Sequence, residues 1–340
     1  MKKIRIVHYG IGHDHSPQYL DAIKEYPDVF EILGVCEPNE KMREECGHFD
    51  AYKGLKWLTE EEMFKLDGVD AVMVEAHDLD LVKYAQKCAD RGWHIHMDKA
   101  AGVDIEAFKK LLRTVKEKNL VFQMGYMFRY NAIIKYALEE KRLGHLGEIY
   151  HMDAFMNTRH PRDKREWMSH LPGGDMLYLG CHMVDMILLF QGIPNRIIPL
   201  NKNTGLDGLD YPDECAAVFE YDKGVSFVRA SAVEVNGYGR RQVVICGSDK
   251  TIEIRRLEAP TIARVTDIKN AATYAEKSEK MRVEQNSILE RYYEMMLDFA
   301  AFVRGEKENP YTLEYEYTLQ KLVLAACGMD IDYKKCDLFD

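Results

Sequence analysis

The chain has 340 residues, 46% of them hydrophobic, and its 46 Lys and Arg against 56 Asp and Glu give a formal net charge of −10. At about 100–200 residues per domain this length accommodates two domains, each with its own core. The acidic balance argues against a nucleic acid or an anionic membrane as partner, since either calls for a basic face.

No run approaches the roughly 18 apolar residues that cross a bilayer. The apolar stretch Ile4 to Val7 after Met1-Lys2-Lys3 is broken by Arg5 and is too short for a signal peptide. The eight cysteines are scattered without a C-x-x-C pair, a pattern expected of reduced thiols in a cytoplasm. A small molecule is the expected ligand.

The first third alternates short apolar runs with amphipathic stretches, as a parallel sheet wrapped by helices does. Strands are expected at Ile4 to Tyr9, Phe30 to Cys36, Ala71 to Val74, His94 to Met97 and Val121 to Met124. Helices are expected around Tyr19 to Ile23, over Leu81 to Arg91 and over Ile105 to Lys118. The fold class is an open, doubly wound α/β domain over residues 1–124, followed by an α+β domain over 125–340. In the second domain Glu148 to Phe155 suits a strand, and Cys215 to Tyr221 and Val225 to Val233 flank an Asp222-Lys223-Gly224 turn. Gln242 to Cys246 and Thr251 to Ile254 suit another hairpin, and Gly180 to Leu189 a buried helix. Ile288, Tyr292, Met295, Met296, Phe299 and Val303 recur at helical steps before Gly305. A large open, mainly antiparallel sheet with helices on one face follows.

Gly10-Ile11-Gly12, directly after the first strand, supplies two glycines of a dinucleotide fingerprint; His15 stands where the third belongs. Ser16-Pro17 predicts a late helix start, with Ser16 as cap and Pro17 at the first helical position. Glu37, at the end of the second strand, is placed to accept hydrogen bonds from ribose hydroxyls and to repel a 2′-phosphate. The expected cofactor is therefore NAD in preference to NADP. His13-Asp14-His15 is a possible metal pair, but no partner ligand follows from the spacing, so these side chains are assigned to the cofactor cleft and no metal is expected.

Three further stretches carry a resemblance: Asp98-Lys99-Ala100 at a strand end, Gly125-Tyr126-Met127-Phe128-Arg129-Tyr130-Asn131, and Gly173-Gly174-Asp175-Met176-Leu177-Tyr178-Leu179-Gly180-Cys181-His182-Met183-Val184-Asp185. The chain resembles the glucose-fructose oxidoreductase / inositol dehydrogenase (Gfo/Idh/MocA) family, whose members have Glu-Lys-Pro, Gly-aromatic-x-x-Arg-aromatic and Gly-Gly-Gly-x-Leu-x-Asp-x-Gly-x-His-x-x-Asp at these places. The resemblance implies a Rossmann domain joined to a substrate-binding and oligomerisation domain. It departs at Ala100, at Asp175, at Tyr178 in place of a catalytic aspartate, and at Ala76-His77 in place of Thr-Pro.

Oxidising a secondary alcohol requires a base and a cation beside the oxygen. The resemblance carries over Lys99 as the cation and His182, and imidazole chemistry suits His182 to be the base. Tyr178, His182 and Asp185 are spaced i, i+4 and i+7, so on an α-helix they share a face, with Tyr178 a hydrogen-bond partner. Gly10, Ile11, Gly12, His13, Glu37 and Lys99 are the expected cofactor residues; Tyr126, Arg129 and Asp185 are the expected substrate contacts. The run Arg159, His160, Arg162, Lys164, Arg165 and Trp167 reads as a charged surface loop.

The implied activity is NAD-dependent oxidation of a secondary hydroxyl on a sugar, polyol or sugar derivative. A second reading is glycoside cleavage by transient oxidation and elimination, and a third is a non-catalytic nucleotide-binding sensor. An uncovered sheet face leads us to expect a homodimer or homotetramer.

Overall fold

Short, mainly apolar runs become strands that are largely buried, and the amphipathic stretches between them become the covering helices. The computed structural model describes residues 2–270, 279–283 and 289–340. The chain opens with β1 (Ile4–Tyr9), α1 (Ser16–Lys24), β2 (Phe30–Cys36), α2 (Glu40–Cys46), β3 (Trp57–Leu58) and α3 (Glu60–Phe64). It continues with β4 (Ala71–Val74), α4 (Leu81–Asp90), β5 (His94–Met97), α5 (Ile105–Glu117) and β6 (Phe122–Met124). These strands form one parallel sheet in the order β3-β2-β1-β4-β5-β6. Tyr9 pairs with Cys36 and Val74, and Val74 with Met97, so β1, β2, β4 and β5 end level with one another. The helices follow their sequence signals: α5 buries Phe108, Leu111, Leu112 and Val115, and Asp104 caps it by accepting the Ala107 N–H.

The cap expected at Ser16 takes another form. α1 does start late, but Ser16 is its first helical residue and His15 precedes it as cap. The Ser16 hydroxyl is buried between His8 Nε2 (2.7 Å) and the Tyr52 hydroxyl (2.6 Å), partners that replace the capping bond.

A second sheet follows α6 (Ala132–Arg142). Its elements are β7 (Ile149–Asn157), α7 (Arg162–Met168), a π-helical turn (Met176–Gly180), α8 (Cys181–Gln191) and β8 (Arg196–Pro199), then β9 (Glu214–Tyr221) and β10 (Gly224–Ser231). β11 (Gln242–Gly247), β12 (Lys250–Arg256), β13 (Thr261–Asp267) and β14 (Glu279–Val283) complete it. The order is β14-β13-β12-β11-β7-β10-β9-β8, antiparallel except where β10 runs parallel to β7. The expected hairpin is present, with Tyr221 opposite Gly224. α8 packs on β7 and β10. β7 buries Met152, Ala154 and Met156, while Val225 and Phe227 of β10 are each 37% exposed.

The chain ends with α9 (Glu290–Val303) and α10 (Leu313–Ala326). The division into compact units differs from the expected 1–124 and 125–340. The first unit is Met1–Met127, Leu289–Tyr317 and Cys336–Asp340; the second is Phe128–Ile288 and Thr318–Lys335. The physical reason is the aromatic face of α9, whose Tyr292 ring meets Tyr19 of α1 edge-on at 4.9 Å and whose Tyr293 meets Tyr26 at 6.0 Å. Ile288, the first position of that helical pattern, lies outside the described residues. None of the eight cysteines forms a disulfide, and no helix among the described residues is long and apolar enough to cross a membrane.

Candidate active site

The sheet order of the first unit reverses between β1 and β4, and ligands of such sheets bind outside the strands' carboxyl ends at that switch. Three strand ends deliver predicted residues there, Gly10 after β1, Glu37 after β2 and Lys99, preceded by Asp98, after β5; β4 adds Glu75, which was not predicted. Gly10 has φ +88°, and a Cβ on it would lie 2.5 Å from the Ala76 nitrogen; one on Gly12 would lie 2.8 Å from the His77 nitrogen. The two glycines thus let the segment after β4 close against the turn.

Glu37 is buried and grips the turn. One of its oxygens accepts the Ile11 N–H at 2.7 Å and the other the Asn39 N–H at 2.8 Å. Burial raises its pKa, against the pull of those two bonds. A carboxylate has about four acceptor sites, so Glu37 retains capacity for ribose hydroxyls. Glycine turn and strand-end acid together fit a dinucleotide. His13 is held on two sides, its N–H donating to the Glu75 carbonyl at 3.0 Å and its Nδ1 2.7 Å from Asp98 Oδ2.

Lys99 is 1% exposed, rare for a lysine. Its N–H donates to Asp98 Oδ1 at 2.6 Å, and the Lys99–Ala100 peptide is cis. Around it lie buried Glu75 and Asp78, which the sequence pattern did not bring together, with buried His13 and partly exposed His15, which it assigned to the cofactor cleft. Burial and the Asp98 charge raise Glu75 well above the carboxylate range. Burial would raise Asp98 too, but His13 and His15 hold it well below that range. Tyr126, also buried, sits in the turn just after β6.

In the second unit His182 is buried on α8, with the Phe128 ring edge-on at 5.1 Å. Arg129 and Asp185, expected at the substrate, are paired with each other: Nε to Oδ2 and NH2 to Oδ1, both at 2.9 Å. Tyr178 falls in the π turn, where i→i+5 bonding replaces i→i+4. The α-helical spacing therefore does not carry across 178 to 182. The Tyr178 ring instead meets Trp167 at 5.5 Å and His160 at 6.0 Å, with Lys164 Nζ 4.7 Å from its centroid. The expected surface loop is in part an inner layer: Arg165 is buried and bonds Asp207, and Lys164 lies 3.6 Å over Trp167. α7 turns these groups inward, which charge count alone does not reveal.

Residues 4–126 match the family described as oxidoreductases with an NAD-binding Rossmann fold, and residues 136–253 match the GFO/IDH/MocA C-terminal domain. The chain belongs to the GFO/IDH/MocA family. It is 24% identical over 162 residues to D-xylose 1-dehydrogenase (NADP(+)) 2 of Haloferax volcanii, spanning 47% of this chain and 49% of that relative. The chain thus matches about half the length of this curated relative. Among solved structures, an Agrobacterium radiobacter oxidoreductase in complex with NAD+, L-tartaric acid and magnesium superposes with TM-score 0.82 at 14% identity, covering 98% of this chain and 99% of that one. A levoglucosan dehydrogenase in complex with NADH and levoglucosan has TM-score 0.79 at 14% identity, covering 96% and 98%. The family's two-domain fold accounts for both sheets described above.

Proposed function

We propose that this protein is an NAD-dependent oxidoreductase acting on a secondary hydroxyl of a sugar, polyol or sugar derivative. The observation that carries this reading is Lys99, a buried lysine at a strand's carboxyl end beside the switch point, where the glycine turn and Glu37 suit a dinucleotide. When bound, NAD supplies the hydride acceptor. Lys99 supplies the cation that holds negative charge on the substrate oxygen as its proton leaves. His182 takes that proton, imidazole being the side chain suited to exchange one at neutral pH. Tyr178 donates a hydrogen bond, and the Arg129–Asp185 pair is a positioning device for α8.

A carbohydrate substrate is supported by the names of the xylose and levoglucosan dehydrogenases. Preference for NAD rests on Glu37, whereas the xylose enzyme is named for NADP(+). Eight cysteines outside any disulfide suit a cytoplasmic setting. The exposed Val225 and Phe227 on the second sheet suit a homodimer or homotetramer.

The test is a panel of sugars, polyols and glycosides with NAD, followed by nicotinamide absorbance and by product analysis, with Lys99→Ala as control. NADH accumulating in wild type, and falling about a hundredfold or more in Lys99→Ala with NAD binding intact, supports the proposal. Glycoside turnover with no net NADH identifies oxidation followed by elimination. Tight NAD binding with no turnover on any compound identifies a sensor.

A further inference from the structure

His13 and His15 lie 83 or more residues from Asp98 in sequence, yet their Nδ1 atoms stand 2.7 and 3.0 Å from the same oxygen, Asp98 Oδ2. The three candidate ligand atoms lie within 4.8 Å of one another. Two features hold this triad from outside. The other Asp98 oxygen accepts the Lys99 N–H at 2.6 Å, which fixes the plane of the carboxylate. The far nitrogen of His13, Nε2, is 3.8 Å from Asp78 Oδ1. Asp78 is 1% exposed, and neither of its oxygens accepts a hydrogen bond.

A carboxylate behind the far nitrogen of a ligating histidine is the arrangement that fixes ring orientation and raises ligand basicity in metal sites. Burying a carboxylate with no hydrogen bond is costly, and a cation beside His13 would offset that cost. His15 is partly exposed, with 16% of its side chain open to solvent, which leaves an approach to the triad.

We infer that His13, His15 and Asp98 form a binding site for a divalent first-row transition ion, with Asp78 orienting His13 from behind. Two imidazole nitrogens and one carboxylate oxygen select ions of the zinc and ferrous type; magnesium and calcium prefer oxygen-only shells. Three protein ligands leave at least one position for water or another oxygen ligand. Ligands of a tetrahedral ion with bonds of about 2.0–2.1 Å stand about 3.3 Å apart, so loading lengthens the two Nδ1–Oδ2 separations by roughly 0.3–0.6 Å. Each imidazole then binds through a deprotonated Nδ1 and carries its proton on Nε2, which in His13 faces Asp78. The inference stands on the first unit alone and revises the expectation of no metal at His13 and His15, residues of the turn assigned to the cofactor cleft.

The experiment uses the full chain, stripped with a chelator, with folding verified by circular dichroism. Zinc sulfate is titrated in competition with a chromophoric chelator. Ferrous ion under anaerobic conditions is a second arm, and magnesium a control. Expected are one zinc or ferrous ion per chain, no competition by magnesium, and X-ray absorption showing two imidazole nitrogens in the zinc shell. His15→Ala and Asp98→Asn should weaken binding at least a hundredfold. Asp78→Asn should weaken it ten- to a hundredfold, and His170→Ala, at an exposed histidine, should leave it unchanged. No stoichiometric binding by wild type, or equal affinity in His15→Ala, overturns the inference. Should Asp98→Asn fail to fold, His15→Ala decides, since His15 is only partly buried.

Discussion

Arg129 and Asp185 face each other through two parallel hydrogen bonds of 2.9 Å, with the arginine 3% exposed and the aspartate fully buried. Asp185 follows His182 by three residues on α8, so this fork fixes the rotation of the helix that carries the proposed base. Removing one partner strands a buried charge, at a cost of about 3–5 kcal/mol. We expect Arg129→Ala to lose that much in chemical denaturation, and Arg129→Met with Asp185→Leu to recover most of it. Arg129→Lys should fall between, because an ammonium cannot reproduce the fork. With substrate, the paired apolar variant should lose kcat more than it raises KM, the sign of a positioning role.

Glu37 ties the strand-end acid to the glycine turn through the Ile11 N–H. A 2′-phosphate would bring about two negative charges toward this carboxylate, with no arginine in Glu37-Pro38-Asn39-Glu40 to receive it. Titration of wild type should give at least tenfold tighter binding of NAD than of NADP, and Glu37→Ser should narrow the gap. Equal affinities in wild type would remove Glu37 from cofactor selection.

The parallel sheet was legible because its strands are short, mainly apolar runs between amphipathic stretches; β1, β2, β4 and β5 match their expected limits. β3, only Trp57 and Leu58, is too short to carry a period. Residues whose roles depend on register were not legible. Asp98 meets His13 and His15 only because β1, β4 and β5 end level, and nothing local to Gly12-His13-Asp14-His15 announces it. Tyr178 shows the opposite failure: a correct local period, extended through a turn whose hydrogen bonding is not α-helical. For α9 the period revealed an apolar face but could not say that its tyrosines pack on α1.

Buried histidines set an acid limit on stability. Burial lowers His8 to about 3 and His96 to about 4, whereas an unfolded chain protonates both near 6.5. The folded values lie below the unfolded ones, so this contribution is complete above pH 6.5 and is lost as pH falls toward 4. Each group contributes a slope of up to about 1.4 kcal/mol per pH unit in that window. Glu75, whose burial beside Asp98 raises its pKa, acts with opposite sign: its contribution is complete below about pH 4.3 and is lost as pH rises. Denaturation at several pH values should therefore show a shallower dependence in His96→Gln and a steeper one in Glu75→Gln. Unchanged slopes in both would mean that neither group titrates differently on folding.

In the proposed mechanism His182 and Tyr178 divide the remaining chemistry, and their surroundings predict how. His182 is buried on α8 beneath the Phe128 edge. Tyr178 sits one π turn earlier, between Trp167, His160 and the Lys164 ammonium. A phenol ordinarily holds its proton up to about pH 10, while imidazole exchanges one near pH 6.5, which is why the proposal gives the base role to His182 and the hydrogen-bond role to Tyr178. With a substrate in hand, His182→Ala should lower kcat more than Tyr178→Phe, by about tenfold or more, since general-base catalysis typically contributes about 10²–10⁴-fold. The wild-type rate should rise through an apparent pKa between about 6 and 8, and that limb should vanish in His182→Ala. Tyr178→Phe keeps its ring against Trp167, so its folding is expected to survive and its kinetics report the lost hydroxyl alone. If Tyr178→Phe proves the more damaging change while the acid limb persists in His182→Ala, the proton passes to the tyrosine, with the ammonium of Lys164 as the nearby charge that favours phenolate.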